Sequence, residues 1–491
     1  MKGNIKQHSV KYNFVMNSIL KMSSFLFPLI TFPYVTRVLG VELNGRISFS
    51  SNFVHYFTMF AQLGIPTYGI RACARVRDNR RELSQTVLEL LIINSIMVVF
   101  SFMALIISMF TIPRIIENRP LVLISSATVI LTCIGMEWFY QAIEQYDYIT
   151  IRNISLKIIS VCLMFLLVHK PDHYIIYAGI NVVGTVGSNI LNFIRIRKYV
   201  DIRFIDGVNI KKHLRPILVF FLFTVSATIY TSLDSVMLGF LANDKEVGLY
   251  AASIKMRNIL YHLVTAIGTV LLPRASYLIQ NKEMGKYRQI IGSSLQFIAL
   301  MSVPLTIYSI LQAKGIILFL AGDDYSLAVT SMMIVTPTVF LAGISNITGI
   351  QVLIPLGFEK YTVASTFGGA ITDLVLNSIF IPMYGAAGAA FGTLIAEVVV
   401  LILQLYFLKK NGLMMHIYME WRNLLKILFA SVLPGVFLLI SNNLITYSSS
   451  FIQLLITGSV YFGVYALVLT ITKERIFLGY IINSIKRICS K

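Results

Sequence analysis

The sequence predicts an all-α, polytopic membrane protein of about fourteen transmembrane helices. They form two six-helix lobes, related as a pseudo-twofold parallel repeat around a central cavity, with two more helices at the C-terminus. Three observations predict this: composition, the recurrence of long apolar runs, and the placement of charge. Of 491 residues, 56% are hydrophobic and 13% are charged, whereas soluble domains carry about 25% charged residues. Apolar runs long enough to cross a bilayer as helix, about 20 residues, fill the chain at 14–36, 46–70, 87–112, 120–143, 151–169, 174–195, 216–241, 247–273, 290–320, 327–354, 361–382, 386–408, 423–445 and 450–472.

Charge supports that count. With fourteen spans, both termini and alternate loops share one side of the membrane, and that side holds the great majority of the 41 Lys and Arg residues. The opposite loops and span ends carry only Arg37, Arg46, Arg114, Arg119, Lys170 and Lys245. Such a bias puts the basic side in the cytoplasm, so both termini are expected there. The net charge of +19 is spread over short loops facing anionic lipid, which removes nucleic acid as a partner. The first apolar run is longer than a signal h-region and no small-residue cleavage site follows it, so no removable signal is expected. Cys73, Cys133, Cys162 and Cys489 have neither metal-ligand nor disulfide-framework spacing, and no metal or cofactor is expected.

The organising stretch is residues 228–263, two apolar segments joined by a short polar turn. Leu238-Gly239 precedes the turn and Gly248-Leu249-Tyr250 follows it. Residues 32–60 repeat the phrase: Leu39-Gly40 matches Leu238-Gly239, Gly45 matches Gly248, His55 matches His262, and Pro66 matches Pro273. Both copies start from the same side, so the repeat is parallel. The expected organisation is a first lobe over 1–200, a basic linker over 201–215, a second lobe over 216–410, and two further spans with a basic tail over 411–491.

Polar residues inside apolar spans are expensive in lipid and usually face a protein interior or a watery cavity. In the first span Asn13, Asn17, Lys21, Ser24 and Pro28 share one helical face. Lys21 either snorkels to the headgroups or lines a cavity. The second span carries His55, which reads as a core residue or as a proton carrier, and Arg71 at its end could meet a phosphate. The fourth span ends with Glu137, Tyr140, Gln141 and Glu144 on one face, and the fifth carries Lys157. Asp234 sits in the seventh span; Lys255, Arg257, Asn258 and His262 sit in the eighth. Asp373 with Asn377, and Glu397, read either as buried structural groups or as ion-linked switches. The run Gly385-Ala-Ala-Gly-Ala-Ala-Phe-Gly392 reads first as close helix packing.

Four stretches together carry a resemblance: FPLITFPYVTRVLG with Gly45, GMEWFYQAIEQYDYITIR, YTSLDSVMLGFL with VGLYAASIK, and IPMYGAAGAAFGTLIAE. The chain resembles the polysaccharide transporter family, the Wzx-type flippases of O-antigen, capsule and exopolysaccharide repeat units. That family belongs to the multidrug/oligosaccharidyl-lipid/polysaccharide exporter superfamily. The resemblance implies a bacterial inner-membrane protein that moves an undecaprenyl-diphosphate-linked oligosaccharide outward by alternating access, with proton or sodium coupling. It implies no enzymatic activity. Membrane lipids, a polysaccharide polymerase and a chain-length regulator are the implied neighbours. Lys21, Arg37, Lys255 and Arg257 match charged positions of the family pattern.

The physics of the cargo agrees, because a diphosphate-sugar headgroup loses its hydration in hydrocarbon unless protein groups replace it. Asn17, Lys21, Arg37, Arg71, Lys255, Arg257 and Asn258 are the candidate substrate contacts, with Lys21, Lys255 and Arg257 expected to hold the anion. Asp234, Glu137, His55, His262, Asp373 and Glu397 are the candidates for coupling or gating. A peptidoglycan-precursor flippase or a cation-coupled drug exporter of the same superfamily would share the fold. A membrane glycosyltransferase is excluded by outward loops too short to build a catalytic domain.

Overall fold

The computed structural model describes residues 9–201, 207, 209–265, 268–413, 421–444, 449–474 and 477–478. All regular structure among them is helical. The first part of the chain forms α1 (Val10–Gln62), α2 (Ile65–Arg75), α3 (Arg80–Thr111), α4 (Pro113–Glu117), α5 (Arg119–Gly135), α6 (Glu137–Ala142), α7 (Tyr146–Leu167), α8 (Tyr174–Val182), α9 (Asn189–Arg195) and α10 (Lys211–Leu241). Then follow α11 (Asp244–Thr265), α12 (Gly268–Gln280), α13 (Met284–Leu311), α14 (Ala313–Ala321), α15 (Ala328–Val335), α16 (Thr338–Ser345), α17 (Glu359–Lys410), α18 (Trp421–Leu444) and α19 (Ser450–Ile471). Two π-helical segments interrupt the series, Val183–Gly187 and Asn346–Leu353. The chain groups into two compact units, Met1–Gly248 and Leu249–Lys491. That division falls within α11, beyond the 201–215 segment that the sequence suggested as a linker.

The helices wear their apolar residues outward, as lipid requires. On α3 the side chains of Val99, Phe100, Met103, Ile106, Ile107 and Phe110 are exposed, Phe100 by 62%. The same helix buries Asn94, Ser101 and Ser108. Asn94 Nδ2 donates to the Ala61 carbonyl and Ser108 Oγ to the Leu105 carbonyl. Polar groups satisfied inside and hydrocarbon shown outside is the reverse of a soluble bundle and suits a bilayer. Among the described residues, ten helices are long and apolar enough to cross a membrane, against fourteen expected spans. Two of the ten, Tyr12–Arg75 with 64 residues and Glu359–Lys410 with 52, exceed what one crossing needs.

Two sequence-expected loops are single residues of turned backbone. Helix α1 runs through the expected 36–46 loop with only Gly40 out of helical geometry, at φ 73° and ψ −178°. Helix α17 folds at Gly385 (φ 55°, ψ −129°). Its arms return antiparallel: a Cβ on Gly388 would lie 2.2 Å from the Phe380 carbonyl oxygen, and one on Gly392 2.2 Å from Asn377 Oδ1. The small-residue run is therefore the corner and close face of a helical hairpin, not packing alone. Gly385→Ala is expected to cost about 1–3 kcal/mol, because this φ/ψ region is costly for any residue with a Cβ. A lowered melting temperature of the detergent-purified protein checks it.

In the first unit, Trp138, Phe139, Tyr140, Ile65, Val87 and Leu90 anchor a buried core. The expected continuous fourth span breaks there, because Met136 takes left-handed geometry (φ 42°) between α5 and α6. Glu89 on α3 accepts hydrogen bonds from Lys212 Nζ at 2.7 Å, His213 Nε2 at 2.8 Å and the Asn209 amide at 2.9 Å. These tie the start of α10 onto α3. In the second unit, α18 and α19 pack on α13 through tyrosine hydroxyls donating to main-chain carbonyls: Tyr465 to Leu300, Tyr461 to Ser431 and Tyr308 to Leu454, at 2.7–3.0 Å. Buried phenols need such partners, and main-chain carbonyls provide them without an added polar side chain.

Candidate functional site

A pocket of about 530 Å³ opens inside the first unit, within the ~300–1,000 Å³ range of small-molecule sites. Its first wall is the polar face of α1. Asn17, Lys21, Ser24, Pro28 and Thr31 line it, at the i, i+4, i+7 spacing that puts residues on one helical face. Pro28 has no N–H to offer the Ser24 carbonyl, so the wall carries main-chain polarity as well. The second wall is α7, with Asn153, Lys157 and Ser160, again one helical turn apart. The third comes from α8 and the π-helical segment after it, through Tyr177, Asn181, Gly184 and Thr185. Glu137 and Gln141 on α6 complete the lining. A Cβ on Gly184 would approach Ser160 Oγ to 2.9 Å, so glycine there lets the π segment lie against α7. Such π segments inside helices are frequent at functional sites.

The electrostatics are uneven. Arg152, 4% exposed, donates from Nη2 to Glu137 Oε2 at 3.3 Å and to Asn153 Oδ1 at 3.0 Å. Gln141 donates to the other Glu137 oxygen at 3.3 Å, and Ser188 Oγ donates to Asn153 at 2.6 Å. The pocket's carboxylate is thereby matched by one guanidinium. Lys157 remains, its Nζ donating to Ser23 Oγ and Ser24 Oγ, both at 3.1 Å, with the Phe27 ring 5.9 Å away. Those hydroxyls are neutral. Lys21 adds a second ammonium from the α1 wall, leaving an excess of positive charge in a chamber rich in carboxamides and hydroxyls.

Of the candidate substrate contacts and coupling groups, the structure brings together three in this pocket, Asn17, Lys21 and Glu137, beside Ser24, Pro28 and Gln141 of the same polar faces; the other candidates do not line it. The face expected to join Glu137, Tyr140, Gln141 and Glu144 is split, because α6 ends at Ala142. Glu137 and Gln141 reach the pocket. Tyr140 is buried, donating to the Asn192 carbonyl at 2.7 Å, while Glu144 pairs with Arg77 at 2.6 Å. Arg37, His55 and Arg71 are exposed and do not line the pocket; Arg37 Nη1 donates to the Pro33 carbonyl. Asp234 is buried on α10.

In the second unit Arg257 donates from Nη2 to Glu397 Oε1 at 2.9 Å, from Nε to Thr338 Oγ1 at 3.0 Å and from Nη1 to Asn258 Oδ1 at 3.2 Å. Its guanidinium also sits 5.0 Å from the Tyr261 ring centre. Lys255 is half-buried on the same helix, and His262 is exposed. Asp373 is buried on the first arm of α17.

Two groups were given no role from the sequence. Lys157 was visible as a lysine inside an apolar span, and only the serines of α1 reveal its role. The other is a cluster in the first unit around Asp244, which is 5% exposed. Arg114 reaches Asp244 at 2.7 Å and Arg46 at 3.2 Å, and Arg114 Nε also donates to the Gly239 carbonyl at 2.8 Å. Burial pushes the Asp244 carboxyl above its usual pKa against the opposing pull of both guanidiniums. Gly45 lies against the same turn, where a Cβ would meet the Asp244 carbonyl oxygen at 1.8 Å.

With this arrangement in view, the comparison with known proteins is decisive. Residues 10–279 match the family described as polysaccharide biosynthesis protein. The chain belongs to that family. It is 24% identical over 420 residues to a protein of Escherichia coli (strain K12) described as an O-antigen transporter, an alignment covering 84% of this chain and 99% of the relative. The fold is shared with the lipid II flippase MurJ in an inward closed conformation (TM-score 0.71, 18% identity, 93% of this chain and 98% of the other). It is shared less closely with an inward-facing multidrug resistance MATE transporter (TM-score 0.57, 15% identity, 81% and 98%). The resemblance drawn from the motif residues is confirmed at the level of family, and the fold is one these two solved transporters share. These relatives are transporters and flippases, not enzymes.

Proposed function

We propose that this member of the polysaccharide biosynthesis family is a flippase. Its cargo is an undecaprenyl-diphosphate-linked oligosaccharide repeat unit, carried from the inner to the outer leaflet of the bacterial cytoplasmic membrane for O-antigen, capsule or exopolysaccharide assembly. The observation that carries this reading is the pocket of the first unit: carboxamides, hydroxyls and two ammonium groups gathered inside an otherwise apolar helical body. Polar groups of that density in a membrane protein are costly unless they serve a polar cargo, and together they replace the water a sugar headgroup must leave behind. The relationship to an O-antigen transporter, over 84% of this chain and 99% of the relative, supports the class of cargo.

Alternating access driven by a proton or sodium gradient fits the reading, with Glu137, Asp234, His55, His262, Asp373 and Glu397 as the groups to test for coupling. Cytoplasmic termini follow from the loop charges. A polymerase and a chain-length regulator would act on the delivered unit.

Deleting the gene in its host is expected to remove the surface polysaccharide and to accumulate the lipid-linked repeat unit on the inner leaflet, measured by mass spectrometry of extracted lipids. Complementation with Lys21→Glu should restore display at least about tenfold less well than wild type at equal membrane abundance, since a reversed charge repels an anionic headgroup. Arrest of cell-wall growth with normal surface polysaccharide would overturn the choice of cargo.

A further inference from the structure

We propose that the pocket of the first unit is a glycan subsite selective for a sugar bearing an oxyanion, with Lys157 as the residue that binds the charged group. The inference deepens the flippase reading and rests on it.

The geometry makes the case in three steps. A lysine that only braces helices inside a membrane protein finds a carboxylate, because an ammonium surrounded by neutral groups is poorly compensated. Lys157 Nζ instead donates to two serine hydroxyls at 3.1 Å. The carboxylate in electrostatic reach, Glu137, already receives Arg152 and Gln141. The serines aim the ammonium while leaving its charge uncancelled, so the chamber is prepared for an incoming anion.

The chemistry around Lys157 is that of a sugar site. Asn17, Gln141, Asn153 and Asn181 line the chamber; Asn17 and Asn181 each carry a donor and an acceptor in fixed relation, as the hydroxyls of a pyranose require, while Asn153 Oδ1 already accepts from Arg152 and Ser188 and Gln141 Nε2 donates to Glu137. Tyr177 and Phe27 add aromatic surface for the apolar face of the ring. A pocket meant for phosphate alone would gather guanidiniums, which match phosphate bidentately. Here no arginine is among the described residues that line the chamber: Arg152 lies behind them, its Nη2 donating to Glu137 and Asn153 and its Nε and Nη1 buried without a hydrogen-bond partner. An ammonium aimed by two serines, with that of Lys21 on the α1 wall, among carboxamides fits a carboxylate or phosphoryl group on a sugar better than a bare inorganic anion.

Two sources could present that chemistry: a uronate carboxylate within the glycan, or the diphosphate joining glycan to lipid. Purified full-length protein in nanodiscs, carrying Trp421→Phe so that Trp138 beside Glu137 is the sole tryptophan, reports binding by its fluorescence. Glucuronate, inorganic pyrophosphate and neutral glucose are the probes. Glucuronate is expected to bind more tightly than glucose, and Lys157→Met to weaken it about tenfold or more, the size of a charge-assisted hydrogen bond. Lys157→Arg should retain binding. Asn181→Asp, which places a competing carboxylate in the chamber, should weaken it without removing the lysine.

Tighter binding of pyrophosphate than glucuronate, with the same dependence on Lys157, overturns the glycan subsite and assigns the lysine to the lipid diphosphate instead. Equal binding of glucose and glucuronate overturns the proposal. So does wild-type affinity in Lys157→Met, or no response to any probe. The flippase reading stands or falls separately, on export in cells, so a failed titration with intact export removes only the subsite.

Discussion

Arg257→Ala is expected to destabilise the protein by about 3–5 kcal/mol, the cost of stranding one member of a buried ion pair. Glu397 is 3% exposed and would lose the guanidinium 2.9 Å from its oxygen. Thr338 and Asn258 would lose their donors at 3.0 and 3.2 Å. Because the pair joins α11 to the second arm of α17, the loss should appear as a lower melting temperature of the whole second unit. The double variant Arg257→Ala/Glu397→Gln should recover much of it, since an amide is far cheaper to bury than a lone carboxylate. A single variant that melts with wild type would mean that the pair is dispensable. This prediction concerns stability and is independent of any role for Arg257 toward cargo.

Gly45→Val is expected to prevent stable accumulation in the membrane, and Gly45→Ala to cost at least the ~1–3 kcal/mol typical of overpacking. The obstacle is main chain: a Cβ at residue 45 would sit 1.8 Å from the Asp244 oxygen and 2.9 Å from the Gly248 nitrogen. Gly248 faces the same crossing from the other helix, where a Cβ would lie 2.2 Å from the Val41 oxygen. Separating the helices would also pull Arg46 from Asp244. Membrane abundance and thermal unfolding of the two variants give the answer, and a wild-type melt for Gly45→Ala would refute so close a crossing.

Gly45 and Gly248 were matched in the sequence as members of a repeat, and the structure gives the match a physical content, because the two glycines meet at one contact. The other matched pair behaves differently. Gly40 supplies the positive φ at which α1 turns. Gly239 stays inside α10, where a Cβ would lie 2.0 Å from the Phe49 ring. Equal letters at aligned positions thus do unequal work, one a backbone requirement and the other a packing one. Periodicity registers both as glycine and cannot tell them apart.

The membrane class and the polar face of α1 were legible in the residues alone, because each is a matter of composition or local spacing, whereas the family came from the resemblance of four stretches to known sequences. Helical periodicity put Asn17, Lys21 and Ser24 on one side without reference to anything else. The partners of that face were not legible. Lys157 lies 133 residues beyond Ser24, and Arg152 on α7 meets Glu137 on α6 only because the chain turns where α6 ends at Ala142. Arg46 and Arg114 read as stray outward charges until Asp244 gathers them.

Local chemistry therefore determined that this is a helical membrane protein with charge sunk inside it. Only the tertiary structure decided which of those charges cancel and which stay available. The reason is that an ion's cost or use depends on the groups within a few ångströms of it, and in this chain those groups come from helices far apart along the backbone.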